Sequence, residues 1–138
     1  MIIGLTHAAV RVTDVGKSLE FYSGMLGLPE QFRLTNDQGQ PWLIYLKVAE
    51  RQYIELFPGA AGPHEAPQGA GVVHICLEVD DIRATYREFT GRGLVTRGEP
   101  ILGGDGSWQF WTDDPDGNPI EFHQFTPESR QMGAATTS

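Results

Sequence analysis

The sequence predicts an α+β fold built from two tandem β-α-β-β-β modules. Three observations carry this. A weak repeat runs through the chain, an aspartate-capped amphipathic helix follows the first strand of each copy, and each copy closes on short apolar strands separated by turn residues. Aligning "GLTHAAVRVTDVGKSLEFYSGMLGL" (Gly4–Leu28) with "GVVHICLEVDDIRATYREFTGRGLV" (Gly71–Val95) gives a constant offset of 67 residues. Gly4 then meets Gly71, His7 meets His74, Val12 meets Val79, Asp14 meets Asp81 and Gly24 meets Gly91. Hydrophobic type also matches at Val10/Leu77, Val15/Ile82 and Tyr22/Phe89.

The elements follow in order. Strands rich in apolar and β-branched residues are expected near 5–12 and 72–79. Asp14 and the pair Asp80–Asp81 are suited to cap the helices that follow. Those helices carry Leu19, Tyr22 and Leu26 on one stripe, and Ile82, Tyr86 and Phe89 on the other. Gly27, and Gly91 or Gly93, can end them in the left-handed conformation. In the first half "EQFRLT" turns at "NDQGQP" into "WLIYLKV" and then "RQYIELF". In the second, "VTRGEPIL" passes through "GGDG" to "SWQFWTD" and turns at "DPDGN" into "PIEFHQF".

The chain's 138 residues suit one domain over 1–138, or two half-domains sharing a core. Module one is expected over 3–57, a Pro/Gly/Ala-rich linker over 58–71, module two over 72–125, and a polar tail over 126–138 with a helical turn near Pro127. A net charge of -8 argues against nucleic acid or an anionic membrane as partner. One cysteine, Cys76, cannot build a disulfide framework, and no apolar run reaches the length of a membrane span. With no signal-peptide pattern at the N-terminus, the expected place is the cytoplasm.

Polar residues inside the apolar strands point to chemistry. Strand side chains alternate faces, so Glu121 shares a face with Pro119, His123 and Phe125, and Glu55 with Tyr53 and Phe57. His7 shares a face with Ala9 and Arg11, and His74 with Cys76 and Glu78. The repeat therefore carries His-Glu twice, at equivalent places. Imidazole and carboxylate are ligand types accepted by Ni, Co, Zn, Mn and Fe, and two carboxylates balance one divalent ion. A lone histidine on a strand is usually a core or surface residue, and a glutamate in a short strand usually marks its solvent face. The common register of all four argues for one shared divalent ion. His123, Trp108 and Phe110 are candidates to line a pocket, and Arg11 to hold an anion beside the metal; packing and solvation are the plain alternatives. His64 in the linker reads as solvated, and Cys76 as a small packing residue.

"THAAVRVTDVGKSLEFYSGMLGL", "YIELF", "VVHICLEVDDI" and the closing "DPDGNPIEF" together resemble the vicinal oxygen chelate superfamily of glyoxalase I, fosfomycin-resistance proteins, extradiol dioxygenases and methylmalonyl-CoA epimerase. The resemblance runs from about Ile3 to Phe125. It implies paired modules forming an incomplete barrel around a metal site, with His7, Glu55, His74 and Glu121 as the ligands. That quartet looks most like bacterial glyoxalase I, as does Arg11, which matches an arginine that binds a glutathione carboxylate. The chain has Gly59 and Gly103 where glyoxalases often have Asn and Lys. The implied activity is lactoylglutathione lyase-type isomerisation, a proton transfer next to a carbonyl through a metal-stabilised enediolate, with Glu121 as base and Glu55 as its counterpart. The implied partners are a small-molecule substrate and a second copy. In such a homodimer the sites lie at the subunit interface, each pairing His7 and Glu55 of one chain with His74 and Glu121 of the other. The alternatives within the resemblance are an extradiol dioxygenase, an epimerase, a thiol transferase, or a resistance protein that sequesters a small molecule without catalysis.

Overall fold

Alternating apolar residues and two aspartate caps set the element order in the computed structural model, which describes residues 1–65 and 69–133. The first half holds β1 (His7–Val12), α1 (Val15–Leu19), β2 (Glu30–Thr35), β3 (Pro41–Ala49) and β4 (Gln52–Pro58). The second holds β5 (Ile75–Glu78), α2 (Ile82–Gly91), β6 (Ile101–Leu102), β7 (Trp108–Asp113) and β8 (Pro119–Gln124), followed by the short α3 (Arg130–Gly133). The strands form two four-stranded mixed sheets, ordered β1-β4-β3-β2 and β5-β8-β7-β6. In each, the first strand runs parallel to the last, and the other pairs are antiparallel. This is the expected α+β class of two β-α-β-β-β modules, with sheets that do not close into barrels.

The chain divides into two compact units: residues 1–66 with 114–117, and residues 67–113 with 118–138. Residues 66–68 of the expected linker and 134–138 of the expected tail lie outside the described residues. No helix among the described residues is long and apolar enough to cross a membrane.

In the first unit, Val10, Val12, Ile44, Leu46, Ile54 and Leu56 are buried from one face of the sheet, and Phe21, Tyr22 and Leu26 are buried with them. Each fully buried side chain of this size contributes about 1.5–3 kcal/mol. Asp14 caps α1 by accepting from the Lys17 amide at 3.1 Å. The expected single helix instead passes after five residues into a π-helical segment, Glu20–Met25. The Leu26 amide bonds the carbonyl of Phe21, five residues back, and adjacent Phe21 and Tyr22 are both buried. Gly27 then takes a positive φ, as expected of a helix-ending glycine.

The closing turn does more than start a strand. Asp114 and Asp116 of "DPDGN" are both buried, and they belong to the first unit. The Tyr22 hydroxyl donates to Asp114 Oδ2 at 2.7 Å. The Thr13 amide and hydroxyl donate to Asp116 at 3.1 and 2.5 Å. Burial, and next the Asp114 carboxylate, raise the Tyr22 phenol far above its ordinary value. His64, expected to be solvated, is half-buried, and its amide donates to the Asp116 carbonyl at 2.7 Å.

In the second unit, Asp81 caps α2 through the amides of Arg83 and Ala84, at 3.1 and 2.9 Å. Ile82 and Phe89 are buried and Tyr86 half-buried, which matches the expected stripe. Gly93 rather than Gly91 takes the left-handed conformation beyond the helix (φ 100°). Phe110, Ile120 and Phe122 complete this core, with Phe110 and Phe122 stacked at 4.6 Å. The expected strand "VTRGEPIL" shrinks to Ile101–Leu102 and one isolated bridge at Thr96. Gly98 (φ 120°) and Pro100, which has no amide donor, interrupt it. β1 and β5 are also shorter than expected, so His7 opens its strand and His74 immediately precedes its own.

Candidate metal centre

Both sheets turn one face inward and carry their glutamates on the other. In the first, β1 and β4 place Ala9 opposite Glu55 and His7 opposite Tyr53. His7 thus reaches one pleat along to Glu55, Nε2 to Oε2 at 3.2 Å. Glu55 is only 5% exposed, so its charge requires partners. On its other side β3 places Tyr45. The Tyr45 phenol is pushed above its ordinary value, chiefly by the Glu55 carboxylate beside it. The Tyr45 ring stacks on Phe32 at 4.4 Å and meets His7 edge-on at 6.1 Å. The Thr6 hydroxyl lies 3.1 Å from His7 Nδ1.

The second sheet repeats the register. Cys76 sits opposite Glu121 on β5, and Trp111 opposite it on β7. His74 Nε2 is 3.0 Å from Glu121 Oε2. The His74 ring packs edge-on against Trp111 at 4.7 Å, and its Nδ1 is buried with no hydrogen-bond partner. The other carboxylate oxygen, Oε1, is 3.3 Å from His123 Nδ1. Cys76 keeps an exposed edge, yet its thiol is pushed up to about 12, first by lost solvent and then by the Glu121 charge.

The donor sets suit a divalent ion. Two ligands at right angles on a metal with bonds of about 2.1 Å lie about 3.0 Å apart. The two His–Glu gaps, 3.2 and 3.0 Å, match that spacing. A ligating imidazole must present a bare Nε2, with its proton on Nδ1. At His7 the Thr6 hydroxyl is placed to accept that proton.

The remaining expected site residues fall differently. Arg11 is exposed on the face of His7, opposite Phe57. His123 shares the face of Glu121 but is only 7% exposed, tilted against Phe125 at 4.8 Å. Trp108 and Phe110 are not on the Glu121 face. β7 pairs Phe110 with Phe122 and Trp111 with Glu121, so alternation sends Phe110 into the core. Trp108 lies beneath the Arg83 guanidinium at 4.9 Å. The aromatic beside Glu121 is therefore Trp111, whose indole N–H donates to Gln109 at 2.8 Å. Tyr45 and Trp111 were missed from the sequence, although they stand 66 residues apart, the same interval as Glu55 and Glu121.

Residues 4–122 match the model of the Glyoxalase/Bleomycin resistance protein/Dioxygenase superfamily. Uncharacterized protein YwbC of Bacillus subtilis is 32% identical over 123 residues, covering 87% of this chain and 96% of that protein. A probable lactoylglutathione lyase of Synechocystis is 33% identical over 125 residues, covering 87% and 94%. The crystal structure of a glyoxalase family protein from Enterococcus faecalis superposes with a TM-score of 0.74 at 21% identity, covering 87% of this chain and 96% of that one, a likeness of fold alone. The match across the chain and the two paired modules agree: this protein is a member of the Glyoxalase/Bleomycin resistance protein/Dioxygenase superfamily.

Proposed function

We propose that this protein is a divalent-metal-dependent enzyme of glyoxalase I type, isomerising a hemithioacetal to lactoylglutathione or a close analogue. The observation that carries this reading is the repeated His–Glu pair, 3.2 Å apart in one unit and 3.0 Å in the other, at equivalent register. His7, Glu55, His74 and Glu121 would hold one ion, Ni, Co, Zn, Mn or Fe. The bound ion supplies Lewis-acid stabilisation, worth several kcal/mol, of negative charge on the substrate oxygens.

Glu121 takes the proton from the carbon next to the carbonyl. The electron pair left behind moves onto the carbonyl oxygen, giving an enediolate; the hydroxyl proton then passes from the sulfur-bearing carbon's oxygen to that oxygen, a new carbonyl forms on the sulfur-bearing carbon, and the abstracted proton returns to the neighbouring carbon. Glu55, more deeply enclosed and flanked by Tyr45, is its counterpart for the opposite face or the returning proton. Arg11, exposed on the face of His7, is placed to meet a substrate carboxylate. Two copies share each site, His7 and Glu55 of one with His74 and Glu121 of the other. Exposed Ile3 and Leu5 precede His7, and exposed Val72 and Val73 precede His74. Such apolar runs are what a second chain would cover.

Formation of lactoylglutathione from methylglyoxal and glutathione by metal-reconstituted protein tests the activity. Turnover with Ni, Co or Zn is expected, together with a dimer by analytical ultracentrifugation. A loaded protein inactive in that assay, yet consuming oxygen with Fe(II) and a catechol, would move the assignment to a ring-cleaving dioxygenase.

A further inference from the structure

Glu121 divides its two oxygens between two histidines. Oε2 lies 3.0 Å from His74 Nε2, and Oε1 lies 3.3 Å from His123 Nδ1. The first contact belongs to the proposed catalytic quartet. The second belongs to a different group of donors, within the second unit. One ligand atom from each of Cys76, Glu121 and His123 can be chosen so that all three lie within 4.8 Å of one another. Register explains the grouping: β5 sets Cys76 opposite Glu121, and β8 sends Glu121 and His123 to the same face. The corresponding positions of the first unit hold Ala9 and Phe57, so the group has no counterpart there.

His123 is the telling residue. It is 7% exposed, and its Nε2 has no hydrogen-bond partner. A buried imidazole nitrogen without a partner is costly. Asp105 Oδ2 stands 4.0 Å from that nitrogen, too far for a hydrogen bond and close enough for a small adjustment. An ion on Nδ1 would leave the proton on Nε2, facing Asp105, an arrangement that orients metal-bound histidines generally.

We propose that Cys76, Glu121 and His123 form a second cation site for a thiophilic divalent ion such as Zn²⁺, sharing Glu121 with the quartet. One sulfur, one nitrogen and one oxygen donor suit this borderline-soft ion, with a fourth, open position for water. A tetrahedral ion with these bond lengths needs ligand atoms about 3.3–3.6 Å apart. Side-chain rotation at exposed Cys76 can close the remaining gap. On binding, a coordination bond forms at Sγ and the thiol proton passes to solvent. Because each oxygen of Glu121 serves one site, the second ion tethers the residue assigned as base. This predicts that excess Zn²⁺ slows turnover.

The test uses full-length protein stripped with a chelator and titrated with Co²⁺, which reports a bound thiolate through a near-ultraviolet charge-transfer band. The wild type is expected to show the band. The His7→Ala/Glu55→Gln double variant should keep it, even though that variant lacks half of the quartet. His123→Gln should weaken the affinity behind the band at least tenfold. No band in the wild type overturns the proposal; so does a band lost with His7 and Glu55, or one unchanged in a folded His123→Gln. A measurement without variants stands beside these. Zn²⁺ should protect Cys76 of the wild type from alkylation several-fold, and unchanged labelling would also overturn the site. Turnover in the lactoylglutathione assay is read separately, so failure there leaves these outcomes intact.

Discussion

The two sheets hold the same His–Glu pair in different surroundings. Each sets a glutamate on its last strand between a small residue of the first strand and an aromatic of the third: Ala9 and Tyr45 around Glu55, Cys76 and Trp111 around Glu121. In the first unit the neighbour across the sheet is a phenol, Tyr45. In the second, Trp111 turns its N–H to Gln109, and His123 stands by the carboxylate instead. Glu55 has a histidine at one oxygen and Tyr45 beside it, whereas Glu121 has a histidine at each oxygen, His74 and His123. Equivalent backbone positions thus give the two carboxylates different neighbours, and the proposed mechanism assigns the first proton abstraction to Glu121.

The difference breaks most sharply at the glutamates. With metal-reconstituted protein, Glu121→Gln should lower kcat by about 10²–10⁴-fold, the range lost with a general base. Glu55→Gln should act mainly through weaker metal binding and recover in part at high metal concentration. Equal, unrecoverable losses in both would erase the proposed asymmetry. Full activity in Glu121→Gln would remove Glu121 as the base.

Next in size is a buried phenol at a repeat position where the second unit has a phenylalanine. Tyr22 matches Phe89 in the repeat, and its hydroxyl donates to buried Asp114. Tyr22→Phe makes the two repeat positions alike and removes a hydrogen bond to a charged group, at a cost of about 1.5–3 kcal/mol. Thermal melts should show a Tm lower by several degrees. The phenol's pKa is raised in the folded state, so its proton is held more tightly there than in the unfolded chain. Its stabilising contribution is therefore complete below the unfolded value of about 10 and is lost as pH rises above it. The gap between wild type and Tyr22→Phe should narrow above about pH 10; a constant gap would show that the phenol does not titrate between the two states.

The sequence made the doubled β-α-β-β-β order legible because capping aspartates, helix stripes and turn residues are local signals that recur at one interval. The His–Glu pairs were legible for the same reason. What failed depends on pairing between strands. Alternation correctly put Trp108 and Phe110 on one face but cannot say which face looks toward Glu121; only the register of β7 on β8 assigns Trp111 to that side. The π-helical segment also escaped, because Leu19, Tyr22 and Leu26 fit an ordinary helix and the burial of neighbouring Phe21 depends on tertiary packing. The buried aspartates of "DPDGN" looked like ordinary turn formers, and their donors, Thr13 and Tyr22, lie about a hundred residues earlier in the chain.

A smaller effect is expected where the two carboxylates are held. Tyr45→Phe removes the hydroxyl of the residue paired with Glu55, and loss of an outer partner typically weakens metal binding about 10–100-fold. Near the lower bound is expected, since His7 remains in contact with Glu55. Trp111→Phe keeps a ring beside His74 and removes no donor to Glu121, so metal affinity should change less than threefold. Isothermal titration with Ni²⁺ or Zn²⁺ separates the two. A larger loss in Trp111→Phe would place the anchoring contact in the second unit.

The helix caps give the finest comparison. Asp14 accepts one amide, from Lys17, at the head of a five-residue α-helix that soon becomes π-helical. Asp81 accepts two, from Arg83 and Ala84, and starts a ten-residue helix. Removing a cap of the second kind costs about 1 kcal/mol. Asp81→Ala should therefore lower Tm by a few degrees and Asp14→Ala by about half as much. The order matters more than the size, because both aspartates sit at the same repeat position and differ in what they hold. If Asp14→Ala proves the more costly, the π-helical segment depends on its first turn more than its buried Phe21 and Tyr22 imply, and packing alone does not hold that helix in place.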